Sequence, residues 1–400
     1  MTETDGQCPT VTVIMPVRNE ASFIERSLGA VLAQDYPADR LEVLVVDGMS
    51  DDGTREIVQR MLAGRPNARL LDNPRRIVST ALNLGLAEAD GEVIVLVGGH
   101  TLMIPDYVRR CAEALAETGA DCVGGVLNTV AETEVTQSIA LAQSSRFGVG
   151  GASFRIGRNK GGEVDTVAFG AYRRQVFDQI GGFDEELIRD QDDEFNYRLR
   201  AAGGRIWLDP RIRSTYYARS TLRSLGRQYF QYGYWKVRVF QKVPGSAQAR
   251  HWAPPLFALA VVGGVPAALL LPALRPFYIA GLALYLLTGL IVSVRMAARA
   301  GWHHLMRLPL AFATLHLAYG LGFWAGMLHF GPPWNRGIFR RGRLELAPVR
   351  AERRPAPGRP PAQTEASMPV DARPQAPEVR LESLDAWGTA VEQGERPWMN

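Results

Sequence analysis

The chain has 400 residues, enough for one large domain with an attachment or for two domains. Hydrophobic residues make up 46% and charged residues 22%, near the globular average, and the net charge is only +4. Lys and Arg form no long block, which argues against a nucleic-acid footprint. Cys8, Cys111 and Cys122 match no zinc or redox spacing and read as unpaired thiols in a reducing compartment.

In chain order, the polar start at 1–9 lacks the pattern of a signal peptide, so the soluble part is expected in the cytosol. Val11–Met15 is a β-branched, apolar run ending at Pro16 and reads as a buried strand. Ala21–Gln34 has helical spacing. Leu41–Val46 is a second strand, and Asp52-Gly53-Thr54 opens a helix through Leu62. Arg69–Asp72 reads as a strand, Ser79–Ala89 as a helix, Glu92–Val97 as a strand and Tyr107–Thr118 as a helix. Strands alternating with helices predict an α/β fold with a doubly wound, mostly parallel sheet. Ligands of such sheets lie beyond the carboxyl ends of the strands. The residues there are Arg18-Asn19-Glu20, Asp47-Gly48 and Gly98-Gly99-His100. From about 120 to 220 short strands and Gly-rich stretches mix, with one clear helix over Asp192–Ala202.

Three apolar segments follow, at 253–272, 277–294 and 308–330. Each is long enough to span a ~30 Å hydrocarbon core, and none has a polar face. Trp252, Trp302, Trp324 and Trp334 lie at or near their ends, as interfacial aromatics do. A cytosolic domain puts the loop with Arg295, Arg299 and Arg307 inside, which obeys the positive-inside rule; three full spans put Arg336, Arg340, Arg341 and Arg343 outside, which violates it. The third segment, or the Pro- and Gly-containing first, is therefore an alternative re-entrant or interfacial helix. The Pro-rich tail at 347–400 reads as disordered.

Asp47 ends the second strand, where a carboxylate can bond the base or ribose of a nucleotide; a plain strand-to-helix turn with a capping residue is the competing reading. Upstream lies Val13-Ile14-Met15-Pro16-Val17-Arg18-Asn19-Glu20. With this pair of motifs the chain resembles glycosyltransferase family 2 over about residues 10–240, with a domain expected at 10–245. The resemblance implies the GT-A fold, an inverting mechanism, and nucleotide contacts at Pro16, Arg18, Glu20 and Asp47. It also implies an Asp-x-Asp after the third strong strand, where this chain has Gly98-Gly99-His100. The succinoglycan-type exopolysaccharide subgroup is similar in its His and in a Pro and Tyr that follow, here Ile104-Pro105-Asp106-Tyr107 with the Tyr one residue nearer than in Pro-x-x-Tyr, so Gly98 is the main departure. His100 is the remaining candidate ligand for a divalent cation, Mn²⁺ or Mg²⁺, and imidazole suits Mn²⁺ better.

Asp190-Gln191-Asp192-Asp193-Glu194 matches the family's base segment and aligns Asp192 with the general base. At a helix N-terminus the ionised form of Asp192 is expected to be favoured. Gly181-Gly182 reads as a tight turn, with Phe183 and Asp184 expected at the acceptor. Gln231-x-x-Tyr234-Trp235 resembles a relaxed Gln-x-x-Arg-Trp motif, giving Gln231 and Trp235 an acceptor role; the same amphipathic stretch reads equally as a helix on the membrane surface.

The expected partners are a nucleotide-sugar donor, a UDP-sugar by resemblance, a lipid-linked or saccharide acceptor, the plasma membrane and other glycan-assembly proteins, with no nucleic acid. Two rivals stay open at this point. One is a processive polysaccharide synthase. The other is a non-catalytic, nucleotide-binding membrane scaffold, which Gly98 motivates.

Overall fold

A computed structural model describes residues 8–332 and Trp334, apart from Glu132, Arg158 and Arg219. The tail expected at 347–400, most of the stretch at 1–9 and the four arginines beyond Trp334 lie outside the described residues.

The first half runs β1 (Val11–Val17), α1 (Ile24–Leu32), β2 (Leu41–Asp47), α2 (Thr54–Leu62), β3 (Ala68–Asp72), α3 (Val78–Glu88) and β4 (Val93–Leu96). These strands pair in parallel in the order β3-β2-β1-β4. Alternate residues face opposite sides, and both sides are covered. Val11, Val13 and Met15 of β1 join Ile24 and Leu28 of α1 and Val58 of α2 on one face. Ile14, Leu44 and Val46 join Leu82 and Leu86 of α3 on the other. Burying each such side chain contributes about 1.5–3 kcal/mol. The chain order reverses between β1 and β4, and a cleft at such a switch point is where α/β sheets bind ligands. Pro16 costs no ladder bond there. Its nitrogen points to the β4 side, where pairing has already stopped at Ile14–Leu96.

The second half is β5 (Thr101–Met103), α4 (Tyr107–Thr118), β6 (Cys122–Val130), α5 (Glu134–Gln143), α6 (Arg146–Val149), α7 (Ser153–Ile156), β7 (Gly162–Glu163), β8 (Ala171–Arg173), α8 (Arg174–Ile180), α9 (Gln191–Ala201), β9 (Ile206–Tyr217) and α10 (Leu222–Lys242). The sheet continues β4-β8-β6-β9-β5, with β7 also on β9. Here β8 runs antiparallel to both neighbours and β5 and β7 antiparallel to β9. The expected mostly parallel sheet is thus parallel in its first half and mixed in its second. β6 and β9 are also long, not short. Their pairing is broken between Gly124 and Val126, where the backbone of Gly125 meets that of Ile212, and Asp209-Pro210 interrupts β9. Bulge and proline hide both strands from a period-2 reading.

Three long helices follow: α11 (Ala249–Leu270), α12 (Arg275–Ala300) and α13 (Arg307–Phe330). By length and composition each can cross a membrane. α11 and α12 expose large apolar side chains, among them Leu256, Leu270, Phe277 and Leu284. α13 is more enclosed, because α10 lies along it. A Cβ at Gly233 would collide with the backbone of Tyr319, one at Gly322 with Phe230, and one at Gly326 with Tyr234. These glycines let two backbones touch. Helix α10 is thereby fixed to an apolar helix at one face and to the sheet domain at the other.

Candidate active site

The loops after β1 and β2 are stitched together. Asn19, in the left-handed region at φ 54, donates its N–H to Ser50 Oγ at 2.9 Å, and its Oδ1 accepts from Asp51 N at 3.1 Å. Glu20 N donates to Thr54 Oγ1 at 2.7 Å. Asp47 has no exposed surface. Its carboxylate accepts from Ser50 Oγ at 2.5 Å and from Arg55 Nη1 at 3.2 Å. Asp52 accepts from Thr54 N, Thr54 Oγ1 and Ala21 N; burial raises its pKa, but these bonds outweigh it and hold the carboxyl below its usual range. Arg18 lies against Gly48, and Pro16 is half-buried within β1. The four residues expected at the nucleotide therefore gather at two adjacent strand ends.

Across the switch point, His100 Nδ1 sits 2.9 Å from Glu20 Oε1, and Glu20 is nearly buried. A carboxylate at Nδ1 holds the proton there and leaves Nε2 as the free lone pair. His100 also packs on Tyr216, ring centroids 5.4 Å apart. Gly98 sits in a tight corner: a Cβ would meet Phe169 Cε1 and Thr101 Oγ1 at 3.0 Å each. Phe169 itself holds φ 51, costly for an aromatic residue, and its carbonyl accepts from Tyr107 Oη at 2.7 Å.

Among the described residues no three His, Cys, Asp or Glu side chains gather to hold a metal. The donor chemistry fits a cation bound chiefly by diphosphate oxygens, with His100 Nε2 as the protein's ligand and Glu20 orienting it.

The base segment is a crowded carboxylate cluster. Asp190 precedes α9 at φ 59 and is almost fully buried. Asp193 accepts from Thr166 Oγ1 at 2.8 Å and pairs with Lys236 of α10, which also lies 3.5 Å from Asp190. Lys236 is only 4% exposed. Burial alone would lower its pKa; Asp190 and Asp193 outweigh that and raise it well above the usual value. Lys236 in turn holds Asp193 low against the effect of burial. Asp192 is half-buried and takes no part in these ion pairs. Burial, then the charge of Asp193, push its pKa up to about 6, and Asp190 rises to about 7 for similar reasons. The helix terminus was expected to favour ionised Asp192; burial and a like charge outweigh it.

Two expected acceptor residues lie beneath the surface. Phe183 has no exposed surface and packs on Phe177 and Phe195. Asp184 is buried and paired to Lys242 Nζ at 2.5 Å. A ring enclosed on every side has no face to offer a sugar. The Gly181-Gly182 turn is held from below, since Arg198 donates to the carbonyls of Ile180 and Gly182. Gln231 accepts from Arg189 Nε at 3.2 Å. Trp235 packs on Tyr234 and on Phe330 of α13, centroids 5.6 and 5.5 Å away. Sequence reasoning missed Lys236 as a site residue. It is one of five basic residues on α10, with Arg223, Arg227, Arg238 and Lys242, and nothing in the local sequence sets it apart from them.

The family model described as Glycosyl transferase family 2 matches residues 12–181. The chain is 32% identical over 330 residues to the succinoglycan biosynthesis protein ExoA of Rhizobium meliloti, covering 80% of this chain and 95% of that protein. It is 25% identical to a dolichyl N-acetyl-alpha-D-glucosaminyl phosphate 3-beta-D-2,3-diacetamido-2,3-dideoxy-beta-D-glucuronosyltransferase of Methanococcus voltae, over 80% of this chain and 97% of that one. Among solved structures, a mannosyltransferase from Pyrobaculum calidifontis in complex with GDP-Man and Mn²⁺ superimposes with a TM-score of 0.51 at 23% identity, covering 78% of this chain and 88% of that one. That likeness concerns the fold.

Proposed function

Since the chain belongs to glycosyltransferase family 2, we propose that it is a membrane-anchored inverting enzyme that moves a sugar from a nucleotide-diphospho-sugar to a lipid-linked or saccharide acceptor in exopolysaccharide or surface-glycan synthesis. The observation that carries the mechanism is Asp192, a half-buried carboxylate beside two others that Lys236 holds in place. Asp192 takes the proton of the acceptor hydroxyl as its oxygen attacks the anomeric carbon, and the bond to the diphosphate oxygen breaks. One displacement inverts the anomeric configuration. A base with a pKa near 6 is ionised at neutral pH yet basic enough to accept that proton.

Glu20, Asp47, Arg18 and Pro16 shape the nucleoside side of the cleft, and Glu20 fixes the tautomer of His100. A divalent cation, when bound, supplies charge for the departing diphosphate. Similarity to a succinoglycan biosynthesis protein supports the exopolysaccharide setting, and similarity to a transferase acting on a dolichyl-phosphate-linked sugar supports a lipid-linked acceptor. The donor is a UDP-sugar in this reading. Helices α11 to α13 anchor the domain at the cytoplasmic face of the plasma membrane, and Gln231 and Trp235 on α10 sit where an acceptor sugar would approach from it.

The test uses membranes carrying the protein, radiolabelled UDP-sugars and prenyl-diphosphate-linked acceptors. The expected product is one sugar longer, with inverted anomeric configuration. Ladders of long polymer would replace single addition by processive synthesis, and retained configuration would reject Asp192 as the sole base.

A further inference from the structure

Beyond Tyr216, which packs on His100, lies a group of polar side chains that the steps above do not use. Arg155 of α7 is its centre. Its Nη1 is buried and has no hydrogen-bond partner. Its guanidinium stands 5.9 Å from the ring centroid of Tyr216, whose ring packs at 5.4 Å on His100. Burial works against its charge, and the groups that favour it are Tyr229, Tyr232 and Tyr216, with Asp192 the carboxylate among them. Tyr216 thus ties Arg155 to the His100 corner, and Asp192 lies within its electrostatic reach.

The walls around it are also unsatisfied. Gln228 Nε2 donates to Tyr232 Oη at 2.8 Å and Tyr216 Oη at 3.3 Å, and its Oε1 is buried without a partner. Gln143 Nε2 reaches Tyr229 Oη at 3.5 Å, and its Oε1 is likewise unpartnered. Half a turn of either amide lets the tyrosine hydroxyls donate to oxygen and leaves an NH₂ as a free donor. Buried polar groups without partners are rare in native proteins, and several in one place call for a ligand. The guanidinium fork, amide donors and hydroxyls match the oxygens of a phosphate.

We infer that Arg155, with Gln228, Gln143 and the surrounding tyrosine hydroxyls, forms an oxyanion subsite that binds a phosphate group of one of the two substrates. This rests on the transferase reading above. Its place fits two sources of the same chemistry. One is the donor diphosphate, where a fixed cation would make up for the carboxylate absent at Gly98. The other is the phosphate joining a prenyl chain to the acceptor sugar, since Tyr229 and the neighbouring Ile139 pack on Phe312 and Leu315 of α13.

The experiment measures binding of three probes to the full-length protein in nanodiscs: uridine, UDP and farnesyl diphosphate. Arg155→Met is expected to weaken one diphosphate probe at least tenfold and to leave uridine within twofold. Loss on UDP assigns the subsite to the donor, and loss on farnesyl diphosphate assigns it to the acceptor. Gln228→Glu keeps the side-chain volume and sets a carboxylate against the guanidinium. It should weaken the same probe, and it carries the test if Arg155→Met does not fold. Arg155→Lys should recover part of the affinity. Both diphosphates bound within twofold of wild type by Arg155→Met, or by Gln228→Glu if that variant alone folds, would overturn the subsite while leaving the transferase reading intact. A wild-type protein that binds neither diphosphate overturns both.

Discussion

At the end of β2, Asp47 is wholly buried and its oxygens are met by Ser50 and Arg55, while Asp52 is met by Thr54 and Ala21. At the start of α9, Asp190 and Asp193 share the ammonium of Lys236 with Asp192 beside them, and buried amide oxygens of Gln143 and Gln228 and Nη1 of Arg155 have no hydrogen-bond partner. The first arrangement is closed and stays as it is whether or not a ligand is present. The second is incomplete by several hydrogen bonds and one charge. The carboxylates of Asp47 and Asp52 are satisfied within the protein, whereas the base side, like Glu20 Oε2 beside His100, keeps buried polar atoms that a substrate can meet.

Three perturbations act on that contrast, from the largest expected effect to the smallest. Asp192→Asn should lower kcat by about 10²–10⁴-fold and leave UDP affinity within about twofold, because it removes a proton acceptor and nothing at the nucleoside. Wild-type kcat/KM should be flat above the Asp192 pKa of about 6 and fall with decreasing pH below it, since only the ionised carboxylate accepts a proton. A full-rate Asp192→Asn enzyme, or a rate that rises on acidification, would remove Asp192 from the role. Next, Lys236→Met leaves Asp190 and Asp193 without their counter-charge. Chemical denaturation should show a loss of about 3–5 kcal/mol, and the acid limb of the pH profile should move to higher pH, because Lys236 now lowers the Asp192 pKa. A profile that stays in place would show that Lys236 is purely structural. Smallest is His100→Ala, expected to cut Mn²⁺-supported transfer about 10–100-fold, with EDTA abolishing what remains. Equal activity of wild type in EDTA and in Mn²⁺ would break the reading of that corner.

Legibility in the sequence follows the same divide. The parallel strands at Val11–Val17 and Leu41–Asp47 announce themselves because both faces are buried, so all positions but Thr12, Glu42 and the terminal Asp47 are apolar. Asp192 was also readable, as a local motif at a helix start. β6 and β9 were not, because a bulge and a proline break their period. Phe183 and Asp184 are expected at the acceptor because Gly181-Gly182-Phe183-Asp184-Glu185 resembles the family's acceptor-side turn before the base. Residues adjacent along the chain can point away from a site, and here Asn83 grips the backbone of Phe183 from α3 while Lys242 takes Asp184. Lys236 and Arg155 reach the site from elements distant in sequence, and no local pattern marks such a meeting.

The corner at Gly98 has a bearing on how this chain can change over generations. The family pattern that the sequence resembles has a carboxylate there, and substituting Asp for Gly98 would bring a Cβ to 3.0 Å from both the Phe169 ring and Thr101 Oγ1, so a neighbour would have to give by a few tenths of an ångström. That ring is held by a backbone at φ 51 and by the bond from Tyr107. Positions 98 and 169 are thereby linked: an acid at 98 is most easily accommodated where position 169 is smaller or relaxed, and while Phe169 stays, change at this corner falls more readily on His100 and its surroundings.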